Sequence, residues 1–275
     1  MVIDDIADLI AAGGVVVLSG AGLSTESGIP DYRGPTGMAR RHTPMTYQLF
    51  VGDAAARHRY WARSYLGWRQ IASARPNAGH LAVAALQRQG VLDGIITQNV
   101  DGLHQAAGAV DVIELHGGLT HVVCLECGVP ESRLDLDQRL HVLNPGFATD
   151  ALRINPDGDA EISDEALEAF VMAGCVVCAS DLVKPDVVFF GENVPRARVD
   201  RCFDLVDTAS SVLVLGSSLT VMSGLRFVRR ASANGTPVAI VNQGPTRGDE
   251  FATVRVDAPL GQELSRLAAF SLRAG

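Results

Sequence analysis

The chain has 275 residues and a single lysine, Lys184, against 22 arginines. Codon usage in a GC-rich genome accounts for that imbalance. A basic surface is missing too. The formal net charge is −8, which argues against nucleic acid as a partner. No apolar run approaches the roughly 18 residues of a membrane span. The opening Met1-Val-Ile-Asp-Asp-Ile-Ala-Asp8 has neither the basic start and apolar core of a secretory signal nor the Arg-rich, acid-poor character of a transit sequence. A cytoplasmic protein with no membrane or nucleic-acid partner is expected, and its oligomeric state cannot be read. Internal repeats and low-complexity stretches are absent. What is there is a hydrophobic fraction of 47%, enough for one large domain carrying a smaller one.

A further absence lies in the most informative stretch, Gly20-Ala-Gly-Leu-Ser-Thr-Glu-Ser-Gly-Ile-Pro-Asp-Tyr-Arg-Gly34. It follows the apolar run Val15-Val-Val-Leu18, as a buried parallel strand feeds a phosphate-cradling loop. Gly20 and Gly22 would let the backbone approach an anion, with a helix N-terminus behind them. Yet Thr25 stands where the usual dinucleotide fingerprint has its third glycine, and the next glycine is Gly28. No Lys-Ser/Thr follows, so a Walker A loop is excluded.

Periodicity predicts a helix over 3–12, a strand over 15–19, a helix around Arg57–Arg63, and a helix starting at Pro76-Asn-Ala-Gly-His80. Further short strands are expected at 94–97, 111–117, 186–190, 211–215 and 237–241. A helix capped by Ser163 should run to about Ala173. The acidic stretch 155–161 lacks the turn glycine and terminal Glu register of a calcium loop and reads as solvated loop. Strands alternating with helices imply an α/β fold, a Rossmann-like doubly wound parallel sheet. Ligands of such sheets sit beyond the strands' carboxyl ends. The glycine loop, Gln98-Asn99, His116, Gly216-Ser217-Ser218 and Asn242-Gln243-Gly244 all fall at that edge, as a dinucleotide site would require.

Of five cysteines, four form the pairs Cys124-Leu-Glu-Cys127 and Cys175-Val-Val-Cys178. Two such knuckles supply four thiolates for one tetrahedral zinc, and an all-cysteine set leaves no open position for chemistry. The 47 residues between the pairs exceed the roughly 15–20 of a zinc ribbon. Disulfides and a redox Cys-x-x-Cys are the competing readings, and a cytoplasmic setting disfavours the first. Cys202 reads as a small buried hydrophobe.

The glycine string, Thr97-Gln-Asn-Val-Asp-Gly-Leu-His104, Glu114-Leu-His-Gly117, the paired cysteines, Lys184-Pro-Asp-Val-Val-Phe-Phe-Gly-Glu192, Leu215-Gly-Ser-Ser-Leu219 and Val241-Asn242 together resemble the sirtuin family, over about residues 10–260. Arg59-Tyr-Trp-Ala-Arg63, Gly67-Trp68 and the long insertion at 128–174 resemble its class II branch, which includes the mitochondrial lipoamidase-type sirtuin. The resemblance implies NAD-dependent removal of acyl groups from protein lysines. NAD is then a consumed co-substrate: nicotinamide leaves and the acyl group ends on ADP-ribose. His116 matches the family's general base, and Gln98, Asn99, Val100 and Asp101 match its nicotinamide and ribose pocket, Asn99 with a catalytic role. Ala21, Tyr32 and Arg33 match the mobile cofactor loop, where Glu26 and Asp31 also lie. Gly216, Ser217, Ser218, Asn242, Gln243 and Gly244 match the adenosine half, and Ala258 the adenine contact. His104 reads as structural.

Peptide substrates in this family add a strand between two loops, here near Val187, Phe189, Gly191 and Glu192 and near Leu219. Tyr60 and Arg63 share the Tyr-x-x-Arg spacing that class III members use for succinyl-type carboxylates, so glutaryl, succinyl or hydroxymethylglutaryl groups are expected to be preferred over acetyl. The expected domains are a Rossmann-like NAD-binding domain (1–37, 76–121, 181–275), a helical module (38–75) and a zinc-binding module (122–180). Other readings stay open: a mono-ADP-ribosyltransferase in the same cleft, a non-catalytic NAD-sensing module, and a dehydrogenase, against which the glycine spacing counts.

Overall fold

The computed structural model describes residues 2–31, 44–147 and 163–274. The expectations placed on Tyr32, Arg33 and the 155–161 loop lie outside the described residues. In chain order the first half contains α1 (Val2–Ala11), β1 (Val15–Ser19), a 3-10 helix (Ala21–Ser27), α2 (Tyr47–Gly52), α3 (Ala54–Ser73), α4 (Ala78–Arg88), β2 (Leu92–Thr97), α5 (Leu103–Ala106), β3 (Val112–Glu114) and β4 (Gly117–Cys124). Then come β5 (Pro130–Ser132), α6 (Arg133–Leu143), α7 (Asp164–Ala169), β6 (Val183–Val187), α8 (Arg196–Thr208), β7 (Ser211–Leu215), α9 (Met222–Ala233), β8 (Val238–Val241), a 3-10 turn (Asp249–Phe251), β9 (Val254–Val256) and α10 (Leu260–Ala274). The chain divides into two compact units, one of Met1–Arg40, Ala74–His116 and Val194–Gly275, the other of Arg41–Ser73 and Gly117–Asn193.

The first unit is built on a six-stranded parallel sheet in the order β3-β2-β1-β7-β8-β9. Counted within this sheet alone the order is 3-2-1-4-5-6, that of doubly wound dinucleotide-binding sheets, with the reversal between β1 and β7. The apolar runs are continuous because both faces are covered. Val15 and Val17 join the core under α1, α4 and α10, while Val16 and Leu18 join the one under α8 and α9. The same alternation holds in β7, where Leu213 and Leu215 face one way and Val212 and Val214 the other. Each such side chain contributes about 1.5–3 kcal/mol on burial. Asn77 caps α4, accepting from the Gly79 and His80 N–H groups, with His80 closing the capping box.

The second unit holds a three-stranded antiparallel sheet, β5-β4-β6, with α2, α3, α6 and α7. Two expectations change here. The segment read as a strand over 186–190 of the parallel sheet is β6, and it ends at Val187 and pairs antiparallel with β4. The strand expected to reach His116 stops at Glu114, and Gly117 turns the chain at φ 80°. Both follow from the pairing of β4 with β6, Gly117 opposite Val187 and Cys124 opposite Val183, which places these strands together in the second unit. The helix after Ser163 ends at Ala169, short of Ala173. Helical and cysteine-bearing segments, expected as separate modules, lie in one unit.

Candidate active site

The glycines of the first loop are required by another loop. A Cβ on Gly22 would lie 2.8 Å from the Gly216 carbonyl oxygen, and one on Gly20 2.7 Å from Ser217 Cβ. The Gly22 N–H donates to Gly216 O at 2.8 Å, so it is spent within the protein. The loops after β1 and β7 therefore pack backbone to backbone at the reversal of strand order, a cradle that only glycine permits. The segment after Gly20 is a 3-10 helix closed by Gly28 at φ 83°, which explains the glycine spacing. Three sequence neighbours fix the floor. Gln98 Nε2 donates to Ser217 Oγ at 2.8 Å. Asn99, 8% exposed, donates from Nδ2 to Gly20 O and Ser24 Oγ, both at 3.1 Å. Ser24 Oγ in turn donates to Asp101 Oδ2 at 2.7 Å, while Asp101 Oδ1 accepts from Leu103 N–H.

His116 follows β3 and is engaged at both nitrogens: Nδ1 lies 3.0 Å from Gln98 O and Nε2 2.8 Å from Ser223 Oγ. Burial pushes its pKa below the ordinary histidine value; the Gln98 carbonyl opposes this, and Arg226 and Arg198 reinforce it. The ring is neutral at physiological pH. A carbonyl only accepts, so Nδ1 carries the proton and Nε2 the lone pair, as a general base needs.

The remaining expected residues divide. Asn242 Nδ2 donates to Gln243 O and Gly244 O, and Asp257 Oδ1 accepts from Gly244 N–H, shaping the turn after β8. Ser217 Oγ accepts from Leu219 N–H. Ser218 and Ala258 are half-buried at the same edge, as are Ala21 and Val100, and Asp31 is buried. Glu26 has a structural use, its carboxylate accepting Gly261 N–H at 3.0 Å in the first turn of α10. Leu219, placed with the peptide loops, is 1% exposed in the core under α8 and α9, at φ 52°.

In the second unit Glu192 accepts from Phe189 N–H at 2.8 Å and pairs with Lys184 Nζ at 3.1 Å, which pins the 187–192 loop. Val187 and Phe189 are buried, and Gly191, at φ 79°, receives a hydrogen bond from Gln48 at its carbonyl. Tyr60 is 2% exposed, its ring edge-on to Phe50 and Phe189 at 5.5 and 5.3 Å. It is a core residue on the same α3 face as Arg63.

The four cysteines converge. Their Sγ atoms all lie within 4.8 Å of one another, with Cys124–Cys178 and Cys127–Cys175 at 3.6 Å. Tetrahedral Zn–S bonds of about 2.3 Å place sulfurs roughly 3.8 Å apart, so the set fits one structural zinc ion. Backbone N–H groups of Cys178 and Val177 hold the Cys175 thiol down to about 6. At Cys178 the Ser180 backbone hydrogen bond is outweighed by desolvation and the crowding of the other sulfurs, which push its thiol up to about 12. All four are free of disulfides.

Sequence reasoning missed Ser24 and Ser223. Ser24 lies inside the glycine motif, but its burial shows only in the structure; Ser223 carries no local signal. Parallel sheets of this strand order bind dinucleotides at the reversal, the edge where His116 and the glycine loops lie. The Sir2 family model matches residues 20–223, and the chain belongs to that family. NAD-dependent protein deacetylase 1 of Streptomyces coelicolor is 61% identical over 98% of this chain and 90% of its own length. The Corynebacterium efficiens protein of that name is 52% identical over 90% and 89%. A solved Sir2 complex with a p53 peptide and NAD+ aligns with TM-score 0.78 and 30% identity, covering 98% of each chain.

Proposed function

We propose that the protein is an NAD-dependent protein-lysine deacylase with His116 as general base. The observation that carries this is the His116 imidazole, half-buried, neutral and fixed by the Gln98 carbonyl at the edge where the Gly20–Gly22 and Gly216–Ser217 loops meet. Those loops, with Asn242–Gly244, would hold the dinucleotide. Bound NAD supplies a scissile bond between nicotinamide and ribose. The chain's own residues orient and move protons: Asn99 and Asp101, locked through Ser24, set the pocket floor, and His116 Nε2 accepts a hydroxyl proton. The four-cysteine site holds zinc for structure only. The expected setting is the cytoplasm.

Acidic acyl groups are a second reading. Arg63 Nε is buried with no hydrogen-bond partner among the described residues, and a carboxylate is the partner a guanidinium takes best. Arg59-Tyr-Trp-Ala-Arg63 and Gly67-Trp68 support a place near the class II branch. Incubation with NAD and acetyl-, succinyl- and glutaryl-lysine peptides, read by mass spectrometry, tests both readings. Nicotinamide and acyl-ADP-ribose should form, and His116→Ala should lower turnover at least a hundredfold, about the contribution of a general base. ADP-ribose fixed on protein with the acyl-lysine intact would reject deacylation. A glutaryl-to-acetyl ratio unchanged in Arg63→Ala would reject the acidic preference.

A further inference from the structure

The contact between His116 Nε2 and Ser223 Oγ has a defined polarity. Nδ1 faces a carbonyl oxygen, which cannot donate, so in the neutral ring Nε2 holds the lone pair. The proton in the 2.8 Å contact is then the Ser223 hydroxyl's. Ser223 sits in the first turn of α9, whose backbone is itself held: Ser223 O accepts from Arg226 Nε at 3.1 Å, and Gly224 N–H donates to Val221 O. The imidazole is thus gripped from two elements, β2's end through Gln98 and α9 through Ser223. Turning the ring would break both bonds.

We propose that Ser223 is a positioning residue for the His116 base: its hydroxyl holds the ring in place and caps Nε2 in the resting enzyme. This rests on the reading of His116 as the base. Outer partners of this kind hold a functional imidazole in one orientation. Donation to the neutral ring also disfavours its protonation. The charged groups facing the ring are Arg226 from α9 and Arg198 from α8, and both act in the same direction. Both remain in a Ser223 variant, so the hydroxyl's own contribution can be isolated.

The test uses the ligand-free full chain and the turnover assay together. Imidazole 1H–15N NMR should find His116 as the Nδ1–H tautomer, with a bond to Nε2 that is lost in Ser223→Ala. In that variant the ring should titrate at higher pH than in the wild type. Its kcat should fall about tenfold at pH 8 and further at pH 6, with KM for NAD little changed. Ser223→Thr, which keeps the hydroxyl, should restore both the titration and kcat. A wild-type imidazole titration and kcat in Ser223→Ala would overturn the proposal. So would a Ser223→Thr enzyme as impaired as Ser223→Ala, because the loss would then come from the helix. Should His116→Ala retain full turnover, the base reading fails, while the NMR arm still judges the contact.

Discussion

Behind the glycine loop, single atoms decide how acid will act on the fold. Ser19 Oγ donates to Thr97 Oγ1 and therefore accepts from His104 Nε2, both at 2.9 Å. His104 is left with a buried lone pair on Nδ1. His80 Nδ1 accepts from Asn77 N–H, so its proton is on Nε2, also buried. Neither His80 Nε2 nor His104 Nδ1 has a hydrogen-bond partner among the described residues, and the rings stand edge-on at 5.2 Å. One orphan is a donor and the other an acceptor, which is tolerable only while both rings are neutral. Burial pushes His104 down to about 3, with His80 adding to the effect. Burial also lowers His80, against the pull of Asp101 and Glu26. A folded-state value below the unfolded ~6.5 means the unfolded chain binds protons first. The His104 contribution is complete above about pH 6.5 and declines as pH falls toward about 3, by about 1.4 kcal/mol per unit, and His80 acts in the same direction. The urea midpoint should therefore drop between pH 7 and pH 5 while the His104 resonances stay fixed. A His104 ring titrating near 6.5 in the native state would refute this.

At the scale of elements, the sequence was legible wherever the signal was local. The runs at 15–19, 211–215 and 237–241 became strands, Asn77 became a cap, and His116, Asn99 and Gly216 arrived at one edge. What was not legible depends on partners far along the chain. Gly22 reads as an anion approach until the Gly216 carbonyl is seen against it, and Asp186–Phe190 reads as a parallel strand until β6, Val183–Val187, is seen paired antiparallel with β4. The two zinc knuckles share one turn. Gly128 N–H bonds back to Cys124 O, and Ala179 N–H bonds back to Cys175 O. Both turn residues are left-handed, at φ 74° and 59°, yet only one is glycine. An alanine in this region carries about 1–2 kcal/mol of strain, and Ala179 is exposed, so its methyl packs against little. Glycine loses about 0.4–1 kcal/mol through the freer unfolded chain. Ala179→Gly should stabilise the metal-loaded protein by up to about 1 kcal/mol, visible as a higher urea midpoint at unchanged slope. A lower midpoint would show that the methyl matters to the knuckle.

For the whole molecule, the shortage of lysine has a chemical consequence whatever its origin in codon usage. Every cation but one is an arginine, which acyl donors do not modify under mild conditions. Lys184, the exception, is 3% exposed. Its Nζ donates to the carbonyl oxygens of Pro185 and Val187, pairs with Glu192, and stands over the Phe189 ring at 4.7 Å. Burial lowers its pKa, and Glu192 beside the amine resists that change. The folded protein thus presents no lysine that could be acylated, and its own side chains cannot compete for its active site. Excess acetyl phosphate should leave Lys184 unmodified in the folded chain for as long as a urea-unfolded control takes to react fully, as read by peptide mass spectrometry. Acetylation of Lys184 in the folded protein at a rate comparable to the control would mean that the Lys184–Glu192 pair opens to solvent, and the argument from burial would fail.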